Sequence, residues 1–108
     1  MGTEVVHESD RSRYVLRMDG VVAGVADYRD RGDALVFHHT EIDRARRGHG
    51  LGATLVRGAL DDVRARGRTV VPTCWYVAEF VDGHPEFGDL LAADPHGARD
   101  GPGGEGSG

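Results

Sequence analysis

The first candidate for chemistry is a turn rich in glycine and arginine, directly in front of a helix-like segment. Residues 46–52 read RRGHGLG, in which Gly48, Gly50 and Gly52 alternate behind two arginines. The first turn of a helix leaves backbone N–H groups without partners, and the helix dipole adds positive charge there. Glycine lets a ligand approach the backbone closely, and the arginines are permanent cations. The pattern therefore predicts a turn that binds a phosphate or diphosphate.

The same residues exclude two common phosphate-binding motifs. No Gly-Lys-Ser/Thr follows the turn, so it is not a P-loop. Its glycine spacing also differs from the G-x-G-x-x-G fingerprint of dinucleotide-binding folds. The alternative interpretation is a loop that only changes the direction of the chain, with solvated arginines.

A second candidate is the pair of His39 and Cys74. Each lies at or just beyond the C-terminal end of a predicted strand, and parallel strands would bring both ends to one edge of the sheet. Cys74 also opens a predicted helix, whose N-terminus favours the thiolate, and an imidazole can take the proton. The pair therefore predicts a nucleophilic thiol with a histidine base. The alternatives are a buried small hydrophobic residue and a hydrogen-bonded histidine at a strand end.

These candidates are positioned by a predicted order of strand, strand, strand, helix, strand and helix. Strands are predicted at residues 14–18, 21–29, 34–42 and 68–73. Residues 5–9 either form a short first strand or open the first hairpin. Apolar residues at helical spacing predict an amphipathic helix from residue 51 to a stop at Gly67, and a C-terminal helix over residues 74–84. Residues 34–73 then form a β-α-β unit with parallel strands, whereas the earlier strands are antiparallel, so the prediction is an α+β fold with a mixed sheet.

The environment of several side chains follows from this assignment. Trp75, Phe80 and Phe87 are predicted to be core residues, and Tyr76 is either core or the wall of a pocket. Because strand side chains alternate, His38 is expected on the opposite face of its strand from His39.

Length and composition limit the classes of function. The chain has 108 residues and a formal net charge of −5, so it holds one domain and lacks the basic face of a general nucleic-acid binder. Its single cysteine excludes an internal disulfide and a zinc cluster, and no apolar run is long enough to span a membrane. We expect a soluble cytoplasmic protein that is folded over residues 3–92. The Gly- and Pro-rich residues 93–108 are predicted to be a disordered tail.

The glycine turn and its surroundings resemble a known family. Arg47, Gly50 and Gly52 match the three places of the R-x-x-G-x-G/A signature of the GCN5-related N-acetyltransferases, between a predicted strand and an amphipathic helix. More narrowly, a His-Thr-Glu strand, this turn, the segment VVPTC and the segment YVAEFVDGHPEF resemble, in that order, the small single-domain YjdJ-type N-acetyltransferases. The resemblance covers most of residues 14–88. One departure is Trp75, where proline is frequent in the family.

This resemblance implies that the anion is the pyrophosphate of coenzyme A and that acetyl-CoA is the cosubstrate. The pantetheine arm would add to the third predicted strand as a further strand does. The implied cofactor-binding residues are Thr40, Ile42, Arg46, Arg47, Gly48, His49, Gly50, Leu51 and Gly52. No metal is implied, and nothing in the spacing of the histidines and the cysteine favours one.

The resemblance also implies transfer of an acetyl group to an amine, by one of two routes. In direct transfer, His39 or Glu41 removes the amine proton, and Cys74 or Tyr76 protonates the departing sulfur. In the covalent route, the Cys74 thiolate takes the acetyl group first, with His39 as the base. The acceptor is a protein side chain or a small polyamine-like amine, and the protein is a monomer or a weak homodimer. The competing interpretation is a non-catalytic sensor or interaction module that binds CoA or acyl-CoA.

Overall fold

The computed structural model describes residues 2–48 and 50–92. The predicted tail at residues 93–108 and one predicted cofactor-binding residue, His49, lie outside the described residues. The domain boundary at residue 92 therefore stays a prediction. Within the described ranges, no helix combines the length and the apolar character needed to cross a membrane.

Five strands form one mixed sheet. They are β1 (Thr3–Glu8), β2 (Arg13–Met18), β3 (Val21–Asp30), β4 (Leu35–Ile42) and β5 (Val70–Pro72). The strands lie in chain order in the sheet. The pairs β1–β2, β2–β3 and β3–β4 are antiparallel, and the pair β4–β5 is parallel. α1 (Leu51–Ala65) connects β4 to β5, and α2 (Trp75–Gly83) follows β5 before a 3-10 segment at Pro85–Leu90. The predicted α+β mixed sheet with its β-α-β unit and C-terminal helix is confirmed.

α1 packs one apolar stripe against the sheet. Its buried residues are Leu51, Gly52, Leu55, Val56, Ala59, Leu60 and Val63. Burial of a leucine or valine side chain contributes about 1.5–3 kcal/mol, so this stripe anchors α1 over β1 to β4. The rings of Tyr14, Tyr28 and Phe37 form a contiguous cluster on the sheet, with centroids 5.6 to 6.0 Å apart. The sheet face that α1 covers is therefore the core face.

α2 is buried through only some of its apolar residues. Its buried residues are Val77, Phe80 and Val81. Phe80 and Phe87 are buried as predicted, but the prediction of Trp75 as a core residue is wrong, because its side chain is 72% exposed. Trp75 lies at the first position of α2, ahead of these buried residues.

A β-bulge at His38 changes the side-chain alternation of β4. Asp27 pairs with His39 and Tyr28 pairs with Phe37, so His38 has no partner residue on β3. Phe37 is in the core, whereas His39 is exposed. The expected strict alternation is therefore wrong at this point, since it would place residues 37 and 39 on one face.

The bulge determines which residues at the end of β4 face α1. Ile42 faces α1, because a Cβ on its β3 partner Gly24 would lie 2.5 Å from Ile42 Cδ1 and 3.5 Å from Leu55 Cδ2. Thr40 lies two residues before Ile42 and shares that face. His39 and Glu41 therefore face the opposite side of the sheet.

β4 and β5 diverge toward their C-terminal ends. Their parallel pairing ends where Phe37 lies opposite Pro72. The Phe37 carbonyl then accepts hydrogen bonds from the backbone N–H groups of Thr73 at 3.0 Å and Cys74 at 2.9 Å. No other described strand takes the place of β5 beside residues 38–42, so this part of β4 is an open edge that faces a gap.

Candidate active site

The gap between β4 and β5 opens into a cavity of about 720 Å³. Its walls come from the end of β4, the turn before α1 and the start of α2. The lining residues are His39, Thr40, Glu41, Ile42, Arg46, Arg47, Gly48, Gly50, Leu51, Gly52, Cys74, Trp75 and Tyr76. Every predicted catalytic residue lines this cavity, and so does every predicted cofactor-binding residue within the described part of the chain. Their roles stay predictions.

The start of α1 carries backbone donors without partners. Gly50 is the N-cap, with a φ of 72°, and Gly48 has a φ of 90°, which is the left-handed region that favours glycine. No described side chain caps this helix, and its first turn holds no acidic residue. The Thr54 N–H donates to the Gly50 carbonyl at 3.2 Å as the helical ladder begins. The N–H groups of the three residues before Thr54 therefore point out of the end of the helix.

Gly52 has a packing reason of its own. A Cβ at this position would lie 2.3 Å from the Tyr76 hydroxyl oxygen and 2.8 Å from Tyr76 Cζ. The ring of Tyr76 therefore lies against the first turn of α1 and holds the start of α2 beside it. Close approach of a ligand is the reason suggested for all three glycines. At Gly52, contact between the two helices is a second reason.

The two arginines of the turn have partners within the loop. Arg46 forms a hydrogen-bonded ion pair with Asp43. Arg47 donates from Nε to the carbonyl oxygen of Ile42 at 3.3 Å. These contacts hold both guanidinium groups beside the cavity, and the Asp43 carboxylate offsets part of the charge that Arg46 presents to an anion.

The open edge of β4 presents the backbone groups of Thr40 and Ile42. The Asp43 N–H donates to the Ala23 carbonyl at 2.7 Å, so Ala23 and Asp43 are a hydrogen-bonded pair at the end of β3 and β4. Hydrogen-bonded and non-hydrogen-bonded pairs alternate along antiparallel strands. The N–H and C=O groups of Thr40 and Ile42 therefore point away from β3 and toward the gap. An extended ligand can pair with this edge as a further strand does.

Cys74 lies at the N-cap of α2, on the α1 side of the gap. Its thiol donates to Thr40 Oγ1, with the two atoms 3.6 Å apart. Tyr76 lies two residues further on. Burial raises the pKa of Tyr76, and the negative charge of Glu79 adds to this effect. The phenol therefore remains a proton donor well above neutral pH.

His39 and Glu41 form a pair on the other face of the sheet. His39 Nε2 lies 3.2 Å from Glu41 Oε1, and both side chains are at least half exposed. They line the same cavity as Cys74, but they reach it from the opposite side of β4. The structure thus pairs the two candidate bases with each other, and the recorded partner of the Cys74 thiol is Thr40 rather than His39.

Trp75, predicted to be a core residue, lines the cavity instead, and Tyr76 is a wall of the cavity. Both directly follow Cys74, so their place in the first turn of a helix that begins at the cavity is the signal that could have found them. Among the described residues, no group of three or more His, Cys, Asp or Glu side chains is arranged to hold a metal ion.

Comparison with known proteins gives relatives for this chain. Protein NATD1 of Bos taurus is 34% identical over 83 residues, which cover 75% of this chain and 74% of that protein. Protein NATD1 of Gallus gallus is 32% identical over 84 residues, which cover 76% of each. Protein NATD1 of Homo sapiens is 32% identical over 83 residues, which cover 75% of this chain and 74% of that protein. The narrower resemblance to the YjdJ-type enzymes stays a prediction.

The fold and the family are also matched directly. The crystal structure of ribosomal-protein-alanine N-acetyltransferase from Brucella melitensis biovar Abortus 2308 superposes with a TM-score of 0.53 at 20% identity. The match covers 81% of this chain and 66% of that chain, and it shows a shared fold. Residues 13–90 match the family model of the GCN5-related N-acetyl-transferases. With the open β4 edge and the uncapped α1 already described, this match shows that the chain belongs to the GCN5-related N-acetyltransferase family.

Proposed function

We propose that this protein is an N-acetyltransferase that transfers an acetyl group from acetyl-CoA to an amine. One observation carries the proposal: the uncapped start of α1 and the open edge of β4 converge on a single cavity. The first suits a diphosphate, and the second suits an extended chain with amide groups. Coenzyme A has both parts, in that order.

The residues of the cavity fit the cosubstrate. The backbone of residues 47–52 would hold the pyrophosphate, because a Cβ at Gly48 or Gly50 would meet no atom within 4 Å and the approach is open. Arg46 and Arg47 lie beside this turn and would add positive charge. Thr40 and Ile42 would pair with the pantetheine arm through their backbone groups. When bound, acetyl-CoA supplies an acetyl group activated as a thioester.

The direct route uses both sides of the gap. On the exposed face, Glu41, with His39 hydrogen-bonded to it, takes the proton that the acceptor amine loses. On the α1 side, Tyr76 or Cys74 returns a proton to the sulfur that leaves as the carbon–nitrogen bond forms. The 3.2 Å contact between His39 and Glu41 supports their action as one base.

One feature also supports a covalent route through Cys74. Its thiol lines the cavity at the N-cap of α2. In this route the Cys74 sulfur takes the acetyl group from acetyl-CoA as the CoA sulfur leaves, and the amine then takes the acetyl group as the Cys74 sulfur leaves and recovers a proton. The thiol proton must first leave, and Thr40, its hydrogen-bond partner, offers no basic group to take it. Direct transfer is therefore the route that we favour.

The test begins with binding of CoA, measured by calorimetry, and continues with intact mass after incubation with acetyl-CoA and a panel of amines. Acetylated amine together with an unmodified protein supports direct transfer. A single added acetyl group that is absent from Cys74→Ser supports the covalent route. Binding of CoA without acetylation of any amine or of the protein favours the non-catalytic module. If CoA does not bind, the whole proposal fails.

A further inference from the structure

Trp75 is a large apolar side chain left at the cavity. It is the only tryptophan in the chain and is 72% exposed, and its one recorded ring contact is edge-on to Tyr76 at 5.9 Å. A tryptophan this exposed gains little from folding, and this one lines the cavity, where a ligand could cover its ring. Because Tyr76 packs against α1, its neighbour Trp75 projects from α2 in another direction.

The face of α2 that carries Trp75 is acidic. Glu79 and Asp82 lie four and seven residues after Trp75, which places all three on one side of the helix. Both acids are exposed, and no ion pair is recorded for either within residues 2–48 and 50–92. Nearby acids behave differently, since Glu86 pairs with Arg57.

The charge therefore differs between the two sides of the cavity, with Glu79 and Asp82 lying beyond Trp75 and outside the residues that line it. The turn before α1 carries arginines, whereas α2 contains no lysine or arginine at all. Trp75 and Glu79 are about 6 Å apart along the helix axis, which is within the reach of one small cation. An ammonium group over the indole ring and beside a carboxylate gains both cation–π and ion-pair stabilisation.

We propose that Trp75, together with Glu79 and Asp82, selects an acceptor amine that carries a second positive charge. This inference rests on the proposed acetyltransferase function and names the class of its acceptor. The reacting amine must lose its proton at Glu41 and His39, whereas the second amine keeps its proton and is held against Trp75. Linear diamines and polyamines have this chemistry, and so does a peptide with neighbouring lysines.

The first test compares kcat/KM for diaminobutane and butylamine, which share one carbon chain. The wild-type protein should prefer the diamine. Trp75→Ala should reduce this preference about 3- to 30-fold, mainly through KM for the diamine, and Trp75→Phe should retain most of it. Glu79→Gln should also reduce the preference, whereas Glu86→Gln, which alters an acid already paired with Arg57, should not. Equal losses for both amines in Trp75→Ala overturn the inference, and so does an equal kcat/KM for the two amines when the peptide pair described next shows no preference either.

The same comparison separates the two sources of such an acceptor. A peptide with two adjacent lysines is compared with one in which the second lysine is glutamine. Preference for the dilysine peptide over diaminobutane identifies a protein acceptor, and the reverse identifies a small polyamine. The requirement for a second charge is supported when the dilysine peptide is preferred over the glutamine peptide, or the diamine over butylamine. No preference for dilysine over the glutamine peptide, together with none for the diamine, contradicts it.

Fluorescence of the single tryptophan provides a direct readout that does not depend on turnover. Diaminobutane added to the CoA complex should quench or shift the emission of Trp75, and butylamine at equal concentration should not. If calorimetry shows that CoA does not bind, the proposed function has failed. If CoA binds and butylamine is acetylated, but the diamine leaves the emission unchanged, only the inference about Trp75 has failed. Melting temperatures of the Trp75 and Glu79 variants, measured as a control, should match that of the wild type and show that the variants are folded.

Discussion

The two ends of α1 satisfy their polar groups in opposite ways. At the N-terminal end, no described side chain caps the helix, and the glycine turn leaves open space beside it. At the C-terminal end, Asp62 accepts hydrogen bonds from the Tyr14 hydroxyl and from Arg66 Nε, each at 2.7 Å. His7 Nδ1 lies 3.6 Å from the same carboxylate. One end is left open to a ligand, and the other is closed by the protein itself.

The closed end shows that a shifted pKa does not by itself identify a catalytic site. Burial and the hydrogen bond to Asp62 raise the pKa of Tyr14 far above its ordinary value. Burial and the positive charge of Arg66 lower the pKa of His7. Shifts of this kind often mark catalytic groups. Here His7 Nε2 also lies 2.6 Å from the Tyr28 hydroxyl, so the network is internally satisfied and stabilises the fold.

The largest effect that we expect comes from closing the open end. Gly50→Glu places a carboxylate where the diphosphate would bind and should weaken binding of CoA at least about 1,000-fold, or about 4 kcal/mol. The measurement is a calorimetric titration with CoA. The matched control is Gly67→Glu at the other end of α1. Gly67 has a φ of 68° against 72° at Gly50, and neither position has an atom within 4 Å of an added Cβ.

Both variants place a glutamate at a similar positive φ and add the same charge. Gly67→Glu should lose at least as much stability, because its carboxylate lies at the negative end of the α1 dipole, but it should keep its affinity for CoA. Equal affinity in the two variants would show that the start of α1 does not hold the diphosphate.

A second effect separates chemistry from binding at the open end. Glu41→Gln removes the carboxylate that we propose as the base and should lower kcat about 100-fold, with the affinity for CoA retained. Steady-state kinetics at saturating acetyl-CoA measure the change. Glu4→Gln is the matched control, because Glu4 is an exposed glutamate on β1. A kcat that falls no more in Glu41→Gln than in Glu4→Gln would remove Glu41 from the mechanism.

The sequence predicted most of the fold because its local patterns agree with one another. The apolar stripe of α1, the parallel β-α-β unit and the glycine turn are all visible as spacing. The bulge at His38 is not, because a bulge depends on how β4 pairs with β3, and the two strands meet through long-range contacts. That single residue decides that Thr40, rather than His39, lies beside Cys74.

The exposure of Trp75 was unpredictable for a related reason. Tryptophan is usually at least partly buried, and a pattern of Trp75, Ala78 and Val81 fits a buried helix face. Which face of a short helix is buried depends on where its neighbours lie, and Tyr76 docks against Gly52 on α1. That contact fixes the rotation of α2 and leaves Trp75 outside. Sequence patterns therefore predict elements better than they predict the rotation of a short element.

A smaller effect tests the closed end. Tyr14→Phe removes the hydroxyl that donates to Asp62 and should lower the free energy of unfolding by about 1.5–3 kcal/mol, because the acceptor is charged. Tyr76→Phe is the matched variant at the open end. No hydrogen bond is recorded for its hydroxyl among the described residues, so stability should change little. Urea denaturation measures both, and CoA titration of Tyr14→Phe should match the wild type. If Tyr76→Phe is destabilised more than Tyr14→Phe, the proposed contrast between the two ends of α1 is wrong.

The smallest effect concerns pH at the closed end. Because the pKa of His7 is lowered from its ordinary 6.5 in the folded state, the unfolded chain binds a proton there more readily. Stability from this group is therefore fully present above pH 6.5 and is lost as the pH falls through the folded-state pKa. The stability that Asp62 contributes is lost only at lower pH, as the pH falls below 3.8 and through its folded-state pKa. Burial favours a raised pKa there, but the hydrogen bonds from Arg66 and Tyr14 outweigh it and lower the pKa below 3.8.

Urea midpoints measured from pH 7.5 down to pH 5 test this dependence, a range that spans the ordinary pKa of about 6.5 for histidine. His7→Gln keeps a side chain able to hydrogen-bond the Tyr28 hydroxyl but cannot titrate, so its stability should vary less with pH than that of the wild type. His38→Gln, at the exposed bulge of β4, is the control and should follow the wild type. If His7→Gln and the wild type lose stability in parallel, burial of His7 makes no contribution to the pH dependence. The network would then be held by Tyr14, Asp62 and Arg66 alone.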